Sequence, residues 1–140
     1  MRWPNRKPHT LTPGMRKAQR AMAEFLPLID WTRFPRRNIN EEMKALASNI
    51  ACFGCSDGHQ AVLWLLRKDT LGPNGMLRRG AAPTSTMIRV PDMRPGRYRV
   101  TTFDTELGRV REVFEVTAGK SLILNVEGLG TDLALALAPV

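Results

Sequence analysis

From residue 38 onward, apolar and polar positions alternate in short runs, the period expected of strands with one buried face. The runs are "NIACFGCS", "QAVLWLLRK", "TMIRVPDM", "GRYRVTTFD", "RVREVFEVT", "KSLILNVE" and "TDLALALAP". Turn formers separate them: Asp57-Gly58, Pro95-Gly96, Gly108, Ala118-Gly119, and Gly128 with Gly130. In "GRYRVTTFD", Tyr98, Val100 and Thr102 fall on one face, with Arg97, Arg99 and Thr101 on the other. In "RVREVFEV", Val110, Glu112, Phe114 and Val116 oppose Arg111, Val113 and Glu115. Trp64, Tyr98, Phe103 and Phe114 are the expected aromatic core, and the apolar neighbours of Trp64 in "AVLWLLR" argue for its burial. Short strands at this spacing predict a mostly β chain: an Ig-like antiparallel β-sandwich preceded by one N-terminal α-helix.

The period before residue 38 is different. Thr12 is a hydroxyl cap followed by Pro13 at the first helical position. Met15, Ala18, Met22, Phe25, Leu26 and Ile29 recur on one stripe, which predicts a helix over 13–29 that Pro27 kinks or ends. The stripe needs a partner: the sandwich, a second copy, or solvent, the last favouring self-association. Residues 1–11, with Pro4 and Pro8, read as a flexible arm, 12–37 as helix and linker, and 38–140 as the sandwich domain. Within the sandwich, residues 68–85 form a Gly- and Pro-rich insertion, expected to be a mobile surface loop. There is no internal repeat and no heptad pattern.

A chain of 140 residues has the size of one domain, and its net charge of +8 favours polyanions. The arginines are scattered along the chain, however, whereas nucleic-acid binders concentrate charge on one element or face. The most suggestive grouping is Arg97 and Arg99 on one strand with Arg109 and Arg111 on the next. If those strands pair, the four could form a basic stripe for nucleic acid or an acidic glycan, and they are the candidate ligand-binding residues. No stretch is long and apolar enough to span a bilayer, so no membrane partner is expected. The N-terminus lacks the apolar core of a signal peptide, which leaves the localisation unassigned.

Cys52 and Cys55 raise the possibility of a redox or metal site. A thioredoxin-like pair works from a helix N-terminus, and no helical pattern follows here. On a strand, residues three apart point to opposite faces, and a zinc site would need two further ligands, for which only the nearby His59 and His9 in the loose N-terminal arm are on offer. Both cysteines therefore read as inert strand residues. Asp57 and Asp104 read as turn formers, and no paired carboxylates, Ser-His-Asp order or phosphate loop is evident. The expectation is no catalytic residue, no metal and no cofactor.

One longer stretch carries a resemblance. "PGRYRVTTFDTELGRVREVFEVTAGKSLILNVEGLGTDLALALAP" is similar to the C-terminal β-sandwich that follows the catalytic (β/α)8 barrel in several glycoside hydrolase families, a domain also labelled collagen-binding by analogy. Gly96, Tyr98, Phe103, Asp104, Gly108, Gly119 and the "TDLALAL" ending fit its run of strands and turns, as does the earlier "SDGHQAVLWLLRK". "TPGMRKAQRAMAEFLPLIDWTRFPRRN" resembles the last barrel helix and its linker, so the likeness covers roughly residues 12–138. Leu133 and Phe103 stand where the family usually has tryptophan. The resemblance implies a non-catalytic accessory domain, structural or carbohydrate-binding, partnered with a glycosidase domain in a longer protein and with polysaccharide. The barrel and its two carboxylates are not in this chain, so no activity carries over. A basic polyanion-binding domain is the alternative.

Overall fold

The computed structural model describes residues 10–140, so most of the arm expected over 1–11, and His9 with it, lies outside the described residues. The described residues build two antiparallel sheets and one α-helix, a β-sandwich. The strands are β1 (Arg37–Asn38), β2 (Lys44–Ala45), β3 (Ile50–Ser56), β4 (Ala61–Arg67), β5 (Thr84–Val90), β6 (Gly96–Asp104), β7 (Arg109–Ala118), β8 (Leu122–Leu129) and β9 (Asp132–Pro139). The larger sheet runs β1-β3-β4-β9-β6-β7 and the smaller β2-β5-β8. The seven alternating runs became β3 to β9. The two-residue strands β1 and β2, too short to show a period, cap one edge of each sheet.

The inner faces close on one core, with Leu63 and Leu65 of β4, Leu135 and Leu137 of β9, and Leu122 and Leu124 of β8 essentially free of solvent. Tyr98 stands at the start of β6 with its ring in this core, and its hydroxyl donates to the Arg94 carbonyl at 2.6 Å. That is the tyrosine-corner arrangement of Ig-like sandwiches. Phe114 packs against the same core, as expected.

Two expected core aromatics behave otherwise. Phe103 follows Arg99 and Thr101 by unbroken alternation along β6 to the outer face of the larger sheet, the extra residue of the β6–β7 bulge being Arg111 on β7, and it is buried there in a second, smaller cluster. Trp64 points outward as well. It alternates with Leu63 and Leu65, and is 38% exposed rather than buried.

The helix, α1 (Pro13–Phe25), starts where Thr12 caps Met15 N–H, and gives way to a 3-10 turn at Leu26–Leu28. Pro27 ends it four residues short of the span the apolar stripe suggested, because its ring clashes with the preceding turn and it offers no N–H. The stripe then divides. Phe25, Ile29 and the following Phe34 bury against Phe103 and Ala136 on the outer face, with Phe25 and Phe103 edge to face at 5.4 Å. Met15, Met22 and Leu26 remain exposed. Gln60 holds the linker in place by accepting from Asp30 N–H at 2.8 Å and donating to its carbonyl at 3.1 Å.

Residues 68–83 are irregular but tied down. Buried Arg67 donates to the carbonyls of Ala82, Leu129 and Gly130 and pairs with Asp69, so one guanidinium joins the insertion to the β8–β9 turn.

Candidate functional site

Alternation on β3 and β4 places Phe53 opposite Trp64 on the outer face, and the two rings stack with centroids 5.2 Å apart and planes 29° off parallel. Each is 38% exposed. They occupy the part of that face that α1 and its linker leave open. Ala134, opposite Trp64 on β9, has no bulk to cover the indole.

The indole is anchored at its polar edge. Trp64 Nε1–H donates to Asp132 Oδ2 at 3.0 Å, and the Thr105 hydroxyl donates to the same oxygen at 2.7 Å. Arg79 Nη1 donates to Asp132 Oδ1 at 3.1 Å, and that oxygen also lies 3.0 Å from the Thr131 hydroxyl. Burial pushes the Asp132 carboxyl up, but the hydrogen bonds from Thr105, Trp64 and Thr131 and the charge of Arg79 outweigh it, and the group is held below the ordinary 3.8. One carboxylate thus fixes an aromatic ring on one side and a guanidinium on the other. A cleft of about 190 Å³ opens beside it, lined by Arg79, Thr105, Glu106, Arg111, Thr131 and Asp132 among others. Glu106 lies 3.6 Å from Arg79 Nε. The β6–β7 turn shapes this corner: Asp104 accepts from Leu107 N–H at 2.7 Å, and Gly108, with φ +68, closes the hairpin so tightly against Ala21 of α1 that a Cβ would collide with it.

The four arginines singled out by the sequence do not come together as a stripe. β6 and β7 do pair, but their antiparallel register sets Arg97 opposite Thr117 and Arg109 opposite Asp104, at opposite ends of the hairpin. Arg97 pairs with Glu115, and Arg99 faces the same glutamate in register. Arg111 sits in the bulge and turns to the other sheet, donating to the Glu127 carbonyl at 2.8 Å over Gly128. Of the four, only Arg111 lines the cleft.

Asp57 is a turn former, accepting from the N–H groups of His59 and Gln60. Cys52 and Cys55 are free thiols on opposite faces of β3, Cys52 against the main core and Cys55 under the linker. Burial pushes both up, for Cys55 against the charge of Arg36 and a backbone hydrogen bond from Val62.

The aromatic pair and the Asp132 network escaped sequence reasoning. The usable signal was the period itself: Trp64 lies one position out of phase with Leu63 and Leu65. The chain matches no family model, and no curated protein matches it significantly.

Proposed function

We propose that this chain is a non-catalytic accessory domain of a glycoside hydrolase that holds polysaccharide on the outer face of its larger sheet. The observation that carries the reading is the exposed, stacked Phe53–Trp64 pair, with the indole N–H already engaged by Asp132. The C–H faces of a pyranose ring carry partial positive charge and pack on the electron-rich face of an indole. A few polar groups beside an aromatic surface then orient the ligand. Arg79, Thr105 and Glu106 supply them here. The link to a glycosidase rests on the resemblance of residues 12–138, and the uncovered stripe of Met15, Met22 and Leu26 is where a catalytic domain would pack.

The test is retention of the purified chain on immobilised neutral and acidic polysaccharides and on DNA, at low and high salt, beside Trp64→Ala and Phe53→Ala. Retention on a glycan that Trp64→Ala abolishes, with no release of reducing sugar, is the expected result. Retention that both variants keep unchanged would refute the reading.

A further inference from the structure

We infer that the cleft beside Trp64 takes an uncharged sugar and reads its hydroxyls through Arg79 and Glu106, even though the chain as a whole is strongly basic. The inference rests on the reading of Trp64 as a stacking surface and deepens it by naming the ligand class.

The chain carries +8, which by itself points to an acidic polymer. The cleft does not share that excess. Its lining holds two guanidiniums, Arg79 and Arg111, against three carboxylates, Asp104, Glu106 and Asp132. A sugar carboxylate entering it would meet Glu106 at the rim and desolvate beside like charge, a cost that grows as water is excluded.

A diol has the opposite requirements. Each hydroxyl both donates and accepts, so it is best met by a donor and an acceptor side by side. Arg79 and Glu106 are that pair. Arg79 spends Nη1 on Asp132 and Thr131, and Nε faces Glu106. Its side chain is 42% exposed and that of Glu106 54%, which leaves a guanidinium edge and a carboxylate oxygen open to the cleft. Because Asp132 holds both Arg79 and the indole, the hydroxyl readers stand at a fixed offset from the stacking ring. The cleft of about 190 Å³ is lined by Asp132 and not by the indole itself, so a ring seated on Trp64 would reach it across the edge that Asp132 holds.

The experiment is affinity electrophoresis through gels containing neutral β-mannan, neutral β-glucan, polygalacturonate or DNA, each at 20-fold different salt. Wild type is compared with Trp64→Ala, Glu106→Ala and Glu106→Gln, their folding checked by circular dichroism. The expected result is salt-insensitive retardation by a neutral glycan, lost in Trp64→Ala, weakened about 10-fold in Glu106→Ala and partly kept in Glu106→Gln. Retardation by polygalacturonate that requires Trp64, is lost at high salt and is strengthened by Glu106→Ala would overturn the uncharged-sugar inference while leaving the stacking surface in place. Retardation by every polyanion regardless of Trp64, or by no gel at all, would overturn both.

Discussion

The outer face of the larger sheet has two halves made of similar residues and put to different use. On one half, Phe103 and Ala136 lie under Phe25, Ile29 and Phe34, sealed by the chain's own helix and linker. On the other, Phe53 and Trp64 stand beside Ala134, each 38% exposed, with none of the described residues laid over them. The strands are shared: β9 contributes Ala136 to the sealed half, and Ala134 borders both, packed against the Phe103 cluster on one side and opposite Trp64 on the other. What separates the halves is the path of residues 26–34, set by the Pro27 break and by the Gln60 clamp on Asp30. Aromatic residues on a sheet thus serve stability where a second layer reaches them and remain available to a ligand where it does not.

The largest effect falls on the sealed half. Phe103→Ala removes a ring buried between sheet and helix, and is expected to cost about 3–5 kcal/mol, read as a lowered urea midpoint. Asp132→Asn comes next. It removes the charge from a carboxylate that receives four donors, at about 1–3 kcal/mol. It also changes the pH profile. The folded Asp132 carboxyl titrates below its ordinary 3.8, so its contribution is fully present above that value and disappears as pH falls through the lower folded one. The Asn variant should lack that part of the acid-induced loss in a pH series of thermal melts.

Trp64→Ala, on the open half, should cost only about 1 kcal/mol while removing glycan retention. A cost as large as that of Phe103→Ala would mean that the open half is core after all, and would break the comparison. The smallest effect concerns the cysteines, one on each face of β3. With both thiols raised by burial and pointing apart, mild oxidation should leave the intact mass unchanged. A loss of two protons without dimerisation would contradict that placement.

Much of the architecture was legible because it is local. Runs with period two became β3 to β9, the Asp57-Gly58 and Asp104 to Gly108 turns formed with their carboxylates on nearby N–H groups, and Thr12 with Pro13 started the helix. Each of these follows from the preferences of a few adjacent residues. The candidate site was not legible in the same way. Asp132 draws its donors from Trp64, Arg79 and Thr105 as well as its neighbour Thr131, residues far apart in the chain. No spacing along the chain encodes their meeting. The four-arginine stripe failed for a related reason: residues early in two antiparallel strands come to lie at opposite ends of the hairpin.

By itself, then, the sequence determined the seven longer strands, where they turn and that a helix precedes them, because hydrophobic period and turn chemistry act over a handful of bonds. Only the tertiary structure decided which apolar side chains are core. Trp64 sits among apolar neighbours on both faces of β4, since Val62 on the same outward side is covered by the linker. Whether an outward residue is buried depends on where a distant segment is laid down, and that is a property of packing between layers rather than of the pattern along any one of them.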